Sequence, residues 1–453
     1  MNWKNQKVLV VGSGISGIGA ATLLSDVGAD TILYDENEKV SVDEIYKRFE
    51  KEVNVQVMTG VLPEEMKNQV ELVVLSPGVP TDSDLVVQFR KKDICIWGEI
   101  ELAYTFSKGK LVAITGTNGK TTTTALVGQM MKDYYGASYV VGNIGNPYTT
   151  IARNTTELSV TVAEISSFQL ETIDKFKPDI SAILNITPDH LNRHHTMESY
   201  VEAKEKIAIN QTKNEICILN YENEYTKVFG EKCKATVIYF SSARKLSNGY
   251  YLEQEYIYEA KDNVSNKIMN IHDMNLVGQC NVENVMAGIA IGRSMNIPLD
   301  HLLRTVREFK AVEHRIEYVA TKKGVAYYND SKGTNPDAAI QGIRAMTRPT
   351  ILIGGGYDKQ SIYDEWIEAF DGKVKKLILI GQTKEKIAEC AKKHNFHDVI
   401  LAESLEETME ICQKIAKEGD AVLLSPACAS WGMFPDYEVR GNRFKEIVNS
   451  LKE

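Results

Sequence analysis

The sequence predicts an α/β protein with three domains, each built on a mostly parallel sheet. Short, continuous apolar runs alternate with helical stripes along most of the chain, a pattern typical of parallel strands buried on both faces. Polar and glycine-rich loops follow many of these runs. The chain has 453 residues, and domains of about 150 residues give a prior of roughly three.

The composition is that of an ordinary globular protein with a net negative charge. Hydrophobic residues make up 43% and charged residues 25%, and 52 Lys and Arg stand against 61 Asp and Glu, a net charge of −9. Such a chain is a poor generic binder of nucleic acids or anionic membranes. Any anionic ligand must therefore be held by backbone amides and a few well-placed cations.

Other segments exclude further classes. No apolar run reaches the ~18 residues of a spanning helix, and the run Val8–Val11 is too short for a signal-peptide core. The seven cysteines include no CxxC pair, so their spacing predicts neither a disulfide framework nor a zinc site. We expect reduced thiols, as in a cytosolic protein.

The first strand is Val8–Val11, and it leads into the loop Gly12-Ser-Gly14-Ile-Ser-Gly17. A helical stripe then ends before Gly28, and Thr31–Tyr34 forms the next strand, with Asp35 at its end. This G-x-G-x-x-G arrangement with a following acid predicts a Rossmann-like domain that binds NAD(P). The diphosphate of a UDP-sugar could bind the same loop amides and helix N-terminus, so a UDP-sugar is the second alternative. A purely structural turn is the third.

A further strand of this domain is Glu71–Leu75, which ends in Ser76-Pro77-Gly78. The loop lies at a strand end, where doubly wound sheets place their ligands.

A second glycine-rich loop follows the buried run Lys110–Ile114. It reads Thr115-Gly-Thr-Asn-Gly-Lys-Thr121 and opens a helix. Loop amides cradle phosphates in this arrangement, Lys120 supplies a charge, and the Thr121 hydroxyl can bind Mg²⁺. Two residues separate the glycines where the common motif has four. The sequence thus predicts a variant nucleotide loop and a phosphate-loop ATPase-like central sheet, the alternative being an unoccupied turn.

Three polar residues downstream are candidates for the same site. Glu164 follows the predicted strand 158–163, where a second Mg²⁺ ligand belongs, although a solvated carboxylate is the alternative. His190 follows the predicted strand 180–186 and suggests a metal or acid–base site, whereas His194 and His195 fit a surface position. Lys204 lies on the predicted helix 196–209, and composition alone predicts an exposed lysine.

The strand–helix alternation restarts after Arg315 and predicts a third, Rossmann-like unit. Its polar loops, 330–336, 354–359 and 425–431, all follow predicted strands. Pro336 suits the first turn of a helix, and residues 442–451 form the last predicted helix. Cys428 is expected to be a buried packing residue, because no histidine is nearby in sequence. The predicted strands are Val325–Asn329, Thr350–Ile353, Leu377–Ile380, Val399–Leu401 and Ala421–Leu424.

Several strings together resemble the Mur ligases, the cytoplasmic amino-acid-adding enzymes of peptidoglycan synthesis. Thr115–Thr121 looks like the ATP loop of that family, to which the folylpolyglutamate synthases are related. Further matching strings lie at 76–80, 164–171, 185–190, 329–334, 425–431 and 437–441, in the expected order. They are most similar to the member that adds D-glutamate to UDP-N-acetylmuramoyl-L-alanine. The strings typical of the diaminopimelate-, lysine- and alanine-adding members are absent from the sequence.

The resemblance replaces the NAD(P) interpretation with a three-domain ligase. It implies a UDP-substrate domain at 1–98, an ATP-binding domain at 99–311 and an amino-acid-binding domain at 312–453. The residues implied to meet the UDP-substrate are Gly14, Ile15, Ser16, Asp35, Glu36, Asn37, Ser76, Pro77, Gly78, Asn143, Ser166 and Gln169.

For the nucleotide, the resemblance implies ATP and two Mg²⁺ ions. Thr121 and Glu164 would hold one ion, and His190 and a Lys204 carbamate would hold the other. Lys120, Glu164, His190 and Lys204 would be the catalytic set. The implied ATP contacts are Gly116, Thr117, Asn118, Gly119, Lys120, Thr121, Thr122, Asn281, Asn284, Arg315 and Asp330.

For the incoming D-glutamate, the resemblance implies cations and hydroxyls that suit its two carboxylates. These are Lys332, Thr334, Lys359, Ser430 and Tyr437. Three positions depart from the family pattern, namely Cys280, Asn192 and Gly432. The resemblance also implies a cytoplasmic monomer with small-molecule substrates and with no nucleic-acid or membrane partner.

Three alternatives stay open on the sequence. One is another Mur or folylpolyglutamate-type ligase with a different amino acid. The second is an NAD-linked oxidoreductase, which leaves the second glycine loop and Lys204 unexplained. The third is a catalytically dead nucleotide-binding scaffold, against which Lys120, Glu164, His190 and Lys204 argue.

Overall fold

The computed structural model describes residues 3–143, 145–310 and 312–452 and, within them, three sheets of five, nine and six strands. The chain divides into two compact units. The first comprises residues 1–253, 258–267 and 286–305, and the second comprises 254–257, 268–285 and 306–453. The predicted class, α/β with three parallel-rich sheets, is confirmed.

The first sheet lies in the first unit and has the strand order β3-β2-β1-β4-β5, with every neighbouring pair parallel. Its central strand β1 is flanked by β2 and β4, so the order reverses there, and a crevice opens at its carboxyl end. The strands are β1 Lys7–Val11, β2 Asp30–Asp35, β3 Val55–Thr59, β4 Leu72–Leu75 and β5 Cys95–Gly98. The helices are α1 Ile15–Asp26, α2 Val42–Tyr46, α3 Glu64–Lys67, α4 Asp84–Lys91 and α5 Glu99–Phe106.

The second sheet has the order β14-β13-β12-β11-β10-β9-β6-β8-β7. Its first strands are β6 Lys110–Thr115, β7 Ser138–Gly142, β8 Val160–Glu164, β9 Ile180–Ile183 and β10 Ile216–Asn220. The remaining strands are β11 Thr236–Ser241, β12 Gly249–Glu253, β13 Tyr256–Lys261 and β14 Val264–Asn270. The helices are α6 Lys120–Tyr135, α7 Ser167–Leu170, α8 Leu191–His194, α9 Met197–Glu205, α10 Glu224–Lys232, α11 Gln279–Ser294 and α12 Leu299–Glu308.

Two boundaries in this sheet differ from the sequence prediction. Glu164 is the last residue of β8 instead of the residue after it, because it still pairs in register with Ile114 of β6. The predicted helix 196–209 is α-helical only to Glu205, and residues 206–208 continue as a 3₁₀ turn.

The third sheet lies in the second unit and has the order β15-β16-β20-β17-β18-β19, parallel except for the antiparallel pair β15–β16. The strands are β15 Glu317–Lys322, β16 Val325–Asn329, β17 Thr350–Gly354, β18 Val374–Leu379, β19 Val399–Leu401 and β20 Ala421–Leu424. The helices are α13 Pro336–Ala345, α14 Asp364–Glu368, α15 Lys384–Lys393, α16 Leu405–Ile415 and α17 Tyr437–Ser450.

The last helix begins five residues earlier than predicted. Asp436 caps it, its carboxylate accepting a hydrogen bond from the Val439 amide at 2.7 Å. Tyr437 is therefore the first residue of α17. Pro336 occupies the first turn of α13, as predicted.

Three residues named by the predicted domain boundaries, Met1, Ala311 and Glu453, lie outside the described residues. Within the described ranges, no helix is both long and apolar enough to cross a membrane.

Candidate active site

The phosphate loop connects β6 to α6 in the first unit. Gly116 has φ +153° and Gly119 has φ +83°, so both occupy conformations that glycine adopts most readily. The loop is anchored to the segment after β9, because the Thr117 and Asn118 amides donate hydrogen bonds to Asn185 at 2.9 and 2.8 Å. The Lys120 amine donates to the carbonyls of Gly116 and Thr117 at 2.8 and 2.9 Å. The predicted nucleotide loop is thus a rigid turn at a helix N-terminus, which suits an anion.

Glu164 lies at the carboxyl end of β8, beside β6. Its side chain is buried, and its Oε1 atom accepts a hydrogen bond from the Asn143 side-chain amide at 2.9 Å. Its Oε2 atom is buried, and among the described residues it finds no hydrogen-bond partner. An orphaned carboxylate oxygen at the end of this strand, together with the Thr121 hydroxyl of the loop, is a donor set that fits Mg²⁺.

Lys204 lies on α9 and is 1% exposed. Composition alone predicted an exposed lysine, and this expectation is wrong. The amine donates a hydrogen bond to the Gly116 carbonyl at 2.8 Å and lies over the Tyr200 ring. Burial lowers the pKa of Lys204 well below its usual range and nearby Lys120 adds to the effect, while Asp189 and Glu164 oppose it. The structure thus places a buried amine against the phosphate loop.

His190 has a left-handed backbone at φ 54° at the start of α8. Its ring is half exposed and meets the Phe168 ring edge to face at 4.9 Å. His194 was expected at the surface and is instead 5% exposed, with Nε2 at 2.9 Å from the Ser167 hydroxyl. Burial lowers the pKa of His194. His195 is exposed, as expected.

A cavity of about 820 Å³ opens at the carboxyl end of the first sheet, entirely within the first unit. Eleven of the twelve residues predicted for the UDP-substrate line it. The exception is Ser166, which caps α7 through a reciprocal pair of hydrogen bonds with Gln169. The glycine loop, the 76–78 loop and Asn143 therefore converge on one cavity, although they are far apart in the sequence.

Asp35 shapes the glycine loop of this cavity. Its Oδ2 atom accepts hydrogen bonds from the amide and the hydroxyl of Ser13 at 2.9 and 2.5 Å, and Oδ1 accepts one from the Asn37 amide at 3.0 Å. Burial disfavours the charged form, but these hydrogen bonds outweigh it and lower the pKa of Asp35. Ser13 and Arg48, which donates to the Ser13 carbonyl at 2.6 Å, had no signal in the sequence pattern.

In the second unit, four predicted ATP contacts are Asn281, Asn284, Arg315 and Asp330. The Asn284 side-chain amide donates a hydrogen bond to Asn281 Oδ1 at 3.1 Å, and the Asn281 side-chain amide donates one to the Val277 carbonyl at 2.8 Å. Asp330 is 1% exposed and accepts hydrogen bonds from Ser425 and the Ile316 amide. Burial raises the pKa of Asp330 to about 6, against the opposing charge of Arg315. The Nε atom of Arg315 is buried without a hydrogen-bond partner among the described residues.

The predicted D-glutamate residues follow β16, β17 and β20 of the second unit. The Lys332 amine lies over the Tyr437 ring at 5.4 Å, and Ser430 is buried. The loop that carries Lys359 pairs with the loop that carries Ser430 through the Tyr357 amide, which donates to the Ala429 carbonyl at 2.9 Å. Lys359 itself is exposed.

Arg440 is buried between two loops of the second unit, and nothing in the sequence pattern marks it. It is 1% exposed and donates hydrogen bonds to Ser331 Oγ at 2.9 Å and to the Ser331 carbonyl at 2.8 Å, and its guanidinium also reaches the Cys428 carbonyl at 3.3 Å. One buried guanidinium therefore joins the loops that carry Lys332 and Ser430. Cys428 is 2% exposed against Tyr363 and Thr383, as expected of a packing residue.

The three departures from the family pattern have different surroundings. Cys280 lies on α11 near Arg315 and Asp330, and burial raises the pKa of its thiol to about 12. Gly432 has φ +85°, a conformation that glycine adopts without strain. Asn192 lies in α8, and its side chain is outside the described part of the structure.

Comparison with known proteins decides the family. The models for the Mur ligase MurD-like N-terminal domain, the Mur ligase middle domain and the Mur ligase glutamate ligase domain match residues 6–98, 114–292 and 314–428. The UDP-N-acetylmuramoylalanine--D-glutamate ligase of Lachnoclostridium phytofermentans is 55% identical over 453 residues, the full length of both chains. The chain belongs to the Mur ligase family. The proteins of the same name from Lachnospira eligens and Clostridioides difficile are 56% and 45% identical to this Mur ligase, again over full length.

Solved structures share the fold of this Mur ligase. MurC from Thermotoga maritima matches with a TM-score of 0.61 at 20% identity, covering 98% of this chain and 99% of the other. MurF from Thermotoga maritima in complex with ADP matches with a TM-score of 0.61 at 14% identity, covering 99% and 98%. The family and the three-domain α/β fold expected from the sequence are thereby confirmed.

Proposed function

We propose that this Mur ligase joins D-glutamate to UDP-N-acetylmuramoyl-L-alanine at the expense of ATP, in the synthesis of peptidoglycan precursors. The observation that carries the proposal is the full-length identity of 55% to a curated D-glutamate ligase, combined with the intact Lys120, Glu164, His190 and Lys204. The ADP-bound MurF neighbour supports ATP as the nucleotide.

The UDP-substrate is assigned to the 820 Å³ cavity of the first unit. Its predicted lining offers the amides of the glycine loop to a diphosphate, at the N-terminus of α1. The Asp35 carboxylate accepts hydrogen bonds from the amide and the hydroxyl of Ser13 in the glycine loop. Its role in binding is therefore to fix the shape of the loop.

The nucleotide phosphates are assigned to the loop 116–122, with Lys120 as the charge that meets them. Asn281, Asn284, Arg315 and Asp330 of the second unit would meet the nucleoside and phosphate. Asp330 is buried and accepts hydrogen bonds from Ser425 and from the Ile316 amide, so we also assign it the task of fixing the backbone next to Arg315 and balancing the charge of that arginine.

Thr121 and Glu164 would bind one Mg²⁺, and His190 and Lys204 the other. A lysine amine does not fit a hard cation, but a carbamate formed with CO₂ supplies an oxygen ligand. Complete burial of Lys204 beside the loop suits this modification, because burial favours the neutral amine that attacks CO₂. When bound, the metal ions supply charge neutralisation at the transferring phosphoryl group.

The reaction begins when the alanyl carboxylate attacks the γ-phosphate of ATP and yields an acyl phosphate and ADP. Two anions approach each other in this step, so Lys120 must offset their repulsion. The D-glutamate amine then attacks the acyl carbon, and the tetrahedral intermediate collapses to an amide and inorganic phosphate. Lys332, Thr334, Lys359, Ser430 and Tyr437 are assigned to hold the two carboxylates of D-glutamate.

We further propose domains at 1–98, 99–311 and 312–453, a monomeric state and a cytoplasmic location. In this proposal the N-terminal domain binds the UDP-substrate, the C-terminal domain binds the amino acid, and the central domain carries the phosphate loop.

A phosphate-release assay tests the function. The protein, ATP and Mg²⁺ are mixed with UDP-N-acetylmuramoyl-L-alanine and a panel of D- and L-amino acids. We expect phosphate release only with D-glutamate. Release with another amino acid would move the chain to a different Mur or folylpolyglutamate-type ligase.

Two controls separate the remaining alternatives. Tight NADH binding without UDP-substrate binding would favour an oxidoreductase. Substrate and nucleotide binding with no turnover for any amino acid would favour a catalytically dead scaffold.

A further inference from the structure

Two neighbouring helices of the second unit bring together Asp364, Cys390 and His394, none of which is assigned above to substrate. Their ligand atoms all lie within 4.8 Å of one another. The His394 Nε2 atom is 2.9 Å from Asp364 Oδ1, and the Cys390 Sγ atom lies within 4.8 Å of both side chains. Within the described ranges, no other set of three Cys, His, Asp or Glu side chains converges as closely.

The spacing of these residues follows helix geometry. Cys390 lies in the last turn of α15 and His394 is the residue that caps its C-terminus, four positions later, so the two side chains lie on the same side of the helix end. Asp364 and Glu368 are likewise four apart at the ends of α14. Each helix thus presents a pair of potential ligands toward the other.

Apolar packing holds α14 and α15 together beneath Asp364, Cys390 and His394. Trp366, Ile367 and Phe370 in and just after α14 belong to the same buried cluster as Ile387 and Ala391 on α15. This apolar layer holds both backbones in place, and the polar residues lie at its solvent edge. A site on packed helices costs less ordering on binding than one on a free loop.

The donor chemistry is that of a borderline transition metal. A thiolate, an imidazole and a carboxylate are the ligands that Zn²⁺ takes in tetrahedral sites, usually with a water or fourth side chain. Glu368 lies where it can orient the histidine from behind, because its Oε1 atom is 3.6 Å from Nδ1, the other ring nitrogen of His394. Metal-bound histidines commonly direct that nitrogen at a carboxylate.

We propose that Asp364, Cys390 and His394 bind a divalent transition metal of the zinc class, with Glu368 orienting the histidine and water as the fourth ligand. Binding converts the Cys390 thiol to a thiolate, and its proton passes to solvent. The site clamps α14 to α15 and is separate from the Mg²⁺ ions of the ligase reaction. Cysteine spacing did not predict it, because only one cysteine takes part.

Cobalt titration of the metal-stripped, full-length protein tests the site. Co²⁺ bound by a thiolate gives an intense near-ultraviolet charge-transfer band, which the sulfur-free set of Thr121, Glu164 and His190 cannot give. We expect this band to saturate at one equivalent and to bleach on addition of Zn²⁺. Cys390→Ser should abolish it, whereas Cys95→Ser, at an exposed cysteine of the first unit, should retain it.

Two further variants distinguish ligand from positioning roles. His394→Asn should also abolish the band, and Glu368→Gln should keep it with affinity about 10–100-fold weaker. Zn²⁺ should raise the melting temperature of the wild-type protein but not that of Cys390→Ser. Absence of the band in the wild type, or its persistence in Cys390→Ser, would overturn the proposal and leave an ordinary ion pair between His394 and Asp364.

Discussion

The amine of Lys204 donates a hydrogen bond to the carbonyl oxygen of Gly116 over 2.8 Å, although the two residues are 88 positions apart in the chain. This contact joins α9 to the first glycine of the phosphate loop. It places the residue that is proposed to become a carbamate directly beside the residues that are proposed to receive ATP.

Lys204→Ala should therefore remove the proposed metal ligand from its buried position beside the phosphate loop. Loss of a ligand's contribution costs several kcal/mol in the transition state, so we expect turnover to fall by about 10³-fold. A short carboxylic acid added to the assay should restore part of it. Lys213→Ala, at an exposed turn lysine, is the control. Unimpaired phosphate release by Lys204→Ala would refute the metal role.

Asn143→Ala tests the contact between Asn143 and Glu164. Without the hydrogen bond to Oε1, the carboxylate loses its orientation, and we expect about 10-fold to 100-fold more Mg²⁺ to be needed for half-maximal rate. The rate is measured against Mg²⁺ at saturating UDP-substrate. Asn37→Ala, which alters another part of the same cavity, should leave the Mg²⁺ requirement unchanged. Equal Mg²⁺ curves for Asn143→Ala and wild type would show that the contact does not orient Glu164.

Two glycines of the first loop should differ in role: Gly17 is needed for folding, and Gly14 is needed for substrate binding. A Cβ atom on Gly17 would lie 1.8 Å from the Gly12 carbonyl, so Gly17→Ala should lower the melting temperature. A Cβ on Gly14 meets nothing within 4 Å, and its φ of −64° suits alanine. Gly14→Ala should melt normally but bind the UDP-substrate more weakly, since Gly14 lines the cavity that is assigned to the diphosphate. Calorimetric titration with that substrate checks it; unchanged affinity would place the diphosphate elsewhere.

Glu99 should make stability fall as the pH rises. Burial raises its pKa from 4.5 to about 7, and its Oε2 atom has no hydrogen-bond partner among the described residues. Between these pH values the folded state keeps a proton that the unfolded state has lost. The unfolding free energy should therefore decline by about 1.4 kcal/mol per pH unit from this group, and level off above pH 7.

Urea unfolding of the full-length protein at several pH values measures this effect. Glu99→Gln should remove the decline, and Glu157→Gln, at an exposed acid, should preserve it. The same slope in wild type and Glu99→Gln would contradict the assignment.

The sequence predicted best where a strand is an uninterrupted apolar run between polar loops. The strands β16, β19 and β20 have the predicted boundaries, and the phosphate loop opens α6 as expected. Strands β11–β14 were not predicted, because tyrosine, lysine, glutamate and asparagine interrupt their apolar residues. Their pairing depends on neighbours in the sheet more than on local pattern.

Long-range contacts explain what the sequence could not reveal at the candidate site. Composition predicted an exposed Lys204, and His194 fitted a surface position, yet both are buried and contact partners distant in sequence, Gly116 and Ser167. Arg440 is an ordinary basic residue in the sequence, and only the fold shows that it joins two loops. The resemblance to Mur ligases gave Lys204 its role, which no periodicity indicates.

Transfer of oxygen from substrate to phosphate tests the central claim most directly. UDP-N-acetylmuramoyl-L-alanine labelled with ¹⁸O in its alanyl carboxylate is incubated with the protein, ATP, Mg²⁺ and D-glutamate, and the inorganic phosphate is analysed by mass spectrometry. An acyl phosphate formed on that carboxylate predicts one ¹⁸O atom in each phosphate released. Phosphate that carries no ¹⁸O, in a reaction that still forms the amide, would contradict the account.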